Sequence, residues 1–186
     1  MSSRSGATGH RPGYLIVQAD DDGTYVGGLM VTDTSGLPVD FRFTDPVTPT
    51  RLQRALYGGV LDRYLRSEVV LRTLMEALEQ PPSLLVVDDP SLLDEPVDIC
   101  PMAFVGPSRS AGLGPVGTLN SQGSSTFLLQ VSEAGHPLRI TLPSESGDEE
   151  QVAATLSELG GRMDVLEPLE RVRAALAVIV AQGAVP

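Results

Sequence analysis

Lysine and tryptophan are absent from this 186-residue chain, cysteine occurs once, at Cys100, and histidine twice, at His10 and His136. One cysteine excludes an internal disulfide framework and a Cys-rich zinc site. Two histidines leave almost nothing for a His-based metal centre. Aromatic residues make up 4% of the chain, so a core must be aliphatic, and the 41% of apolar residues is enough to build one. Positive charge is scarce as well. Thirteen arginines face 24 acidic residues, for a formal charge of −11 and a pI near 4.5. That balance argues against a protein whose whole surface grips phosphate.

Long hydrophobic runs are missing too. The longest, Ala174–Ala181, is far short of the ~18–20 residues a membrane span needs. The first thirteen residues are small and polar with no apolar centre. They read as a disordered tail (1–13) rather than a signal peptide, ahead of a single α/β domain over 14–186. The expectation is a cytoplasmic protein with no membrane contact.

Tyr14–Ala19 is a short apolar strand stopped by the turn formers Asp20-Asp21-Asp22-Gly23. Thr24–Thr32 is a second strand, with Gly27-Gly28 marking a bulge or a close backbone approach. In Leu37–Phe43 the apolar Val39, Phe41 and Phe43 alternate with polar residues at period two. These three strands form an antiparallel meander. A helical region follows, with Thr48 as cap and Pro49 at its first position; Gly58-Gly59 interrupts it, and a longer helix spans about 60–79. Ser83–Val87 is apolar throughout, as in a strand covered on both faces, and the long helix before it returns it parallel to the first strand. Beyond it the pattern predicts a strand at Ile99–Val105, a flexible Gly/Ser-rich loop over 108–125, a hairpin from Thr126–Ser132 and Pro137–Leu142, and two helices.

The fold expected is therefore a mixed sheet with an N-terminal three-stranded meander, a helix and a parallel central strand, plus a C-terminal hairpin and two helices. Over Tyr14–Asp89 this element order resembles the opening of the ribonuclease H-like fold. Profilin-like and other mixed-sheet domains share parts of the same order. No motif identifies a family.

The resemblance implies a place for Mg²⁺-dependent nuclease chemistry, in which several carboxylates hold two ions around one phosphate. Asp20 follows the first strand, and Asp88 and Asp89 follow the fourth, so parallel neighbours would bring them out at one sheet edge. Asp20, Asp88 and Asp89 are the candidate metal ligands. Glu68 is the third candidate catalytic residue beside Asp20 and Asp89, because it falls on the helical stripe of Tyr64, Leu71 and Met75. Each has an ordinary explanation. Asp clusters after strands form turns, and Glu68 at the stripe's edge can pair with Arg72 one turn on. A fourth ligand has only Asp164 or Glu167 to offer, neither in a motif.

Other patterns dissolve on inspection. Arg51, Arg54, Arg63, Arg66 and Arg72 share their helical region with Asp62, Glu68, Glu76 and Glu79, as a salt-bridged surface would. The stretch Gly112–Gly117 spells G-x-G-x-x-G, but it contains Pro115 and no helix follows. The calcium-loop pattern at Asp20 fails at Tyr25 and Val31, and Ser108 lacks the second glycine of a nucleophile elbow. Cys100 reads as a small buried hydrophobe.

Past Arg173 no charged residue remains, and a helix apolar all round must be covered on most sides. Leu169, Val172, Leu176 and Ile179 form its stripe, either core or a surface for a protein partner or a second copy, with Ala174 and Ala177 near a second packing surface. With no complete catalytic set, no cofactor loop and no metal-ligand spacing, the first reading is a non-catalytic subunit or adaptor of a cytoplasmic, bacterial assembly, using no cofactor. The alternative is a Mg²⁺-dependent, ribonuclease H-like nuclease using Asp20, Glu68 and Asp89. Nucleic acid is a partner only under that alternative.

Overall fold

The structure, a computed structural model, describes residues 9–183. Most of the expected tail lies outside the described residues, and of its described part Pro12 and Gly13 already belong to the first strand. The meander forms as read: β1 (Pro12–Ala19), β2 (Tyr25–Thr32) and β3 (Pro38–Phe43) pair antiparallel in sequence. After it comes α1 (Arg51–Tyr57), capped by Thr50 rather than Thr48. Gln53 decides this, since its side chain accepts from the Thr50 backbone N–H while its own N–H donates to Thr50 Oγ1. Thr48 instead shares a hydrogen bond with Thr24.

A 3₁₀ turn at Gly58–Val60 leads into one long helix, α-helical over α2 (Leu61–Tyr64) and α3 (Arg72–Glu76) and π-helical between them, over Leu65–Leu71. Then β4 (Leu84–Val87) pairs parallel with β1, in the register Leu15 opposite Val87. Next, β5 (Met102–Pro107) lies parallel to β4 and begins only after Pro101, three residues later than the sequence pattern predicts. The short β6 (Leu119–Ser121) forms within the Gly/Ser-rich stretch, and β7 (Thr126–Leu129) and β8 (Leu138–Thr141) make the hairpin. Helices α4 (Glu149–Gly160) and α5 (Glu167–Ala181) follow. All eight strands form one sheet in the order β3-β2-β1-β4-β5-β8-β7-β6.

Each face of the sheet carries its own core. On one, Tyr14, Ile16, Leu84 and Val86 meet Val152, Leu156 and Leu159 of α4 and Leu169, Val172 and Leu176 of α5. On the other, Leu15, Val17, Leu85 and Val87 meet Leu65, Val70, Leu71, Leu74 and Met75 of the long helix. The glycines of β2 are points of close approach, one toward each layer. A Cβ at Gly27 would overlap Val70, and one at Gly28 would lie 3.1 Å from Leu176. The irregularity in strand pairing falls elsewhere, at Val31/Thr32.

The stripe of α5 faces this core. Leu169, Val172 and Leu176 are buried within the chain and Ile179 packs against the same cluster. They are therefore engaged by the chain's own sheet rather than offered to a partner. Ala174 and Ala177 are exposed, not at a second packing surface, and Val178 and Val180 are 53% exposed. Only one side of the helix lies against the sheet, so the absence of charge along it did not translate into cover on every side. No helix among the described residues is long and apolar enough to cross a membrane.

Candidate functional site

β4 ends opposite Leu15, four residues before β1 does, and the carboxyl end of β4 together with the last residues of β1 opens on a cleft of 710 Å³. Gln18, Asp20 and Thr24 line it from the first strand and its turn, Asp88 and Asp89 from the fourth strand, and Arg66 from the long helix. Parallel pairing thus brings Asp20, Asp88 and Asp89 to one opening, as the element order implied.

Each of these carboxylates has a local partner. Asp20 accepts from the Thr24 backbone N–H at 2.8 Å, closing its own turn. Asp89 caps the 3₁₀ turn of Pro90–Asp94 by accepting from the Ser91 N–H at 2.9 Å, and its other oxygen lies 3.4 Å from Arg66. Asp88 lies 3.0 Å from Arg173 of α5. The two neighbouring aspartates point to opposite sides of the sheet because successive residues of an extended chain alternate faces. Asp88 continues the face of Val86, against α5, and Asp89 that of Val87, against the long helix. Burial raises the pKa of Asp88 above the ordinary carboxylate value, the Arg173 guanidinium opposing it.

Arg66 is the most fully engaged group in the cleft. Its Nε donates to both oxygens of Asp62 at 3.0 Å, and its Nη1 donates to the Val17 carbonyl at 3.0 Å and toward Asp89. The guanidinium carbon lies 5.7 Å from the centroid of the Tyr25 ring, a cation–π distance. The Tyr25 hydroxyl donates to Asp62 at 2.8 Å, completing the ring of contacts. The Arg66 side chain is only 17% exposed. The mixed charge of its helical region predicts only a salt-bridged surface. Its spacing of four from Asp62 was visible, but its reach to β1 was not.

Glu68 belongs elsewhere. Its side chain is 44% exposed and pairs with Arg72 at 3.0 Å, beside a separate hollow lined by Tyr57, Tyr64 and Glu95. The π turn supplies the reason. An i→i+5 turn inserts a residue into the α-helical count, so the buried positions become Leu65, Ser67, Val70, Leu71, Leu74 and Met75, with Glu68 outside them.

The resemblance carried by the element order implies a pair of divalent ions, and the residues in this cleft do not fit them. Among the described residues, no three Asp, Glu, His or Cys side chains are placed to hold a metal ion. The carboxylates at the strand ends are already satisfied by guanidinium groups and backbone N–H donors. Neither histidine approaches the cleft chemistry: His136 Nδ1 donates to the Ser110 carbonyl, and His10 pairs with Glu158. Cys100 lines a different hollow, where burial pushes its thiol up to about 11 and keeps it protonated at neutral pH. The Gly112–Gly117 stretch is a loop, held where the Gly117 N–H donates to the Gln130 carbonyl and the Leu113 N–H to Gln130 Oε1.

No family model and no curated protein matches the sequence. Solved structures do match the fold. The chain is similar to endonuclease V from Streptomyces avermitilis, with a TM-score of 0.62 and 15% identity over 95% of this chain and 84% of that one. It is similar to human endonuclease V at a TM-score of 0.53 and 16% identity, covering 96% and 87%. A third match, at a TM-score of 0.53 and 10% identity over 96% and 88%, is Ciona intestinalis endonuclease V in complex with DNA containing an inosine. These likenesses overturn the first reading from sequence: nothing in them supports a protein-binding adaptor, and they favour the nuclease alternative. At these identities they establish the fold, and that fold is an eight-stranded, mixed α/β sheet of the ribonuclease H-like type.

Proposed function

We propose that the protein binds nucleic acid across the cleft at the carboxyl ends of β1 and β4. One observation carries this reading: a cleft of 710 Å³ opens on a ribonuclease H-like sheet past the carboxyl end of β4 and along the last residues of β1, its parallel neighbour. Ligands of open α/β sheets characteristically bind outside the carboxyl ends of such strands. The Ciona structure that shares the fold holds DNA. Beside the cleft, α1 has no buried residue and presents Arg51 and Arg54, the latter hydrogen-bonded to the Asp22 carbonyl at the cleft's rim. Those arginines offer phosphate contacts on an otherwise acidic chain.

The test is fluorescence anisotropy with short labelled single- and double-stranded DNA and RNA at low salt. Binding is expected, with affinity falling as salt rises and about 3–10-fold weaker in R51E, since one phosphate contact is lost and a repulsion added. Absence of binding to every probe would sink the reading. Metal-dependent phosphodiester cleavage is the second reading, favoured by the place of Asp20, Asp88 and Asp89 in the lining of one cleft and opposed by the arginines bonded to Asp88 and Asp89. Its test is incubation of the same probes with Mg²⁺ or Mn²⁺. Cleavage by the wild type that is lost in D20N and D89N would establish it.

A further inference from the structure

Two of the three strand-end carboxylates that a two-metal site would use, Asp88 and Asp89, are paired here with arginines of the chain itself. Arg66 is held as a metal ion would be, by two carboxylates, one main-chain carbonyl and an aromatic face. Its position between the Val17 carbonyl of β1 and Asp89, two residues past β4, is the seam between the two central strands. From the opposite face, Arg173 bonds Asp88 at 3.0 Å and is itself pinned to Glu170. A guanidinium keeps its charge at any working pH and cannot leave, unlike an ion. A divalent ion entering at Asp89 would have to displace a cation already bonded to four oxygens.

We infer that Arg66 in the cleft, together with Arg173 bonded to Asp88, takes the place of a divalent ion, so that the cleft holds the sugar–phosphate backbone without one and leaves the phosphodiester bond intact. The inference rests on the nucleic-acid reading and departs from its cleaving version. Arg66 is a positioning residue here. It ties the long helix to both central strands and balances Asp62 and Asp89, while its remaining exposed edge faces the opening.

Two measurements test it on the full chain. Thermal denaturation of the wild type in Mg²⁺ or Mn²⁺, against a control of matched ionic strength, is expected to show no rise in melting temperature. In R66Q the loss of the internal cation frees Asp62 and Asp89, so Mn²⁺ is expected to raise the melting temperature of that variant. R66K, which keeps the charge, is expected to stay unresponsive. Oligonucleotide binding by the wild type is expected to be equal in EDTA and in Mg²⁺ at matched ionic strength, with no cleavage in either. A metal-induced rise in the wild type, binding that requires Mg²⁺, or cleavage would each overturn the inference, as would an R66Q protein indifferent to Mn²⁺. Should R66Q fail to fold, the wild-type titration and the cleavage assay still decide. No binding in either buffer would sink the nucleic-acid reading itself, a result separable from the metal response.

Discussion

Asp88 and Asp89 are adjacent in sequence and behave as two different groups. The alternation of an extended chain sends one toward α5 and the other toward the long helix, and each finds its own arginine. For Asp88 burial outweighs Arg173, so its folded pKa is raised. A raised carboxyl binds its proton more readily in the folded than in the unfolded state. Its contribution to stability is therefore fully present below the unfolded pKa and is lost as pH rises through the folded value. Urea denaturation of wild type and D88N across mildly acidic pH should show the wild type gaining relative stability on acidification. A pH-independent difference between the two would contradict the assignment.

At the scale of an element, the π turn over Leu65–Leu71 decides which side chains the long helix buries. It turns Glu68 outward to a solvent-exposed pair with Arg72. Exposed pairs of this spacing contribute little, so E68Q should change stability by no more than about 0.5 kcal/mol and leave nucleic-acid affinity unchanged. A loss of binding in E68Q would return this residue to the site. The other decisive helix is α5, whose Leu176 packs over Gly28 and is fully buried. L176D places an unpaired charge in that contact and should cost about 3–5 kcal/mol, read as a lowered urea midpoint. A normally stable L176D would mean that α5 does not dock on β1 and β2.

For the whole molecule, one sheet separates two aliphatic layers, and β1 and β2 contribute side chains to both. Loss of either helical layer uncovers strands the other layer needs. Equilibrium unfolding should accordingly be a single transition, with tyrosine fluorescence and far-UV circular dichroism coincident. Separated transitions would show that the half around β5–β8 holds its structure independently. The acidic charge of the whole chain bears on binding too. With −11 overall, attraction to a polynucleotide must come from local arginines, so affinity should fall steeply between low and physiological salt.

The residues by themselves determined the meander, the parallel return of β4 and the C-terminal hairpin and helices, because period-two alternation, apolar runs and turn formers are local signals. Strand order also pointed to a shared location for Asp20, Asp88 and Asp89, which line one cleft although β4 stops opposite Leu15 and β1 runs on to Ala19. Three things were not legible. The cap moved from Thr48 to Thr50 through a side-chain pairing with Gln53. The placement of Glu68 hinged on a π turn that no spacing rule announces, because a wider turn is stabilised by packing against the sheet and not by its own residues. The role of Arg66 depended on bonds to Val17 and Asp89, 49 and 23 residues away. Contacts of that range arise only when the long helix lies across the ends of β1 and β4, and it is there that the chain's own cations meet its carboxylates.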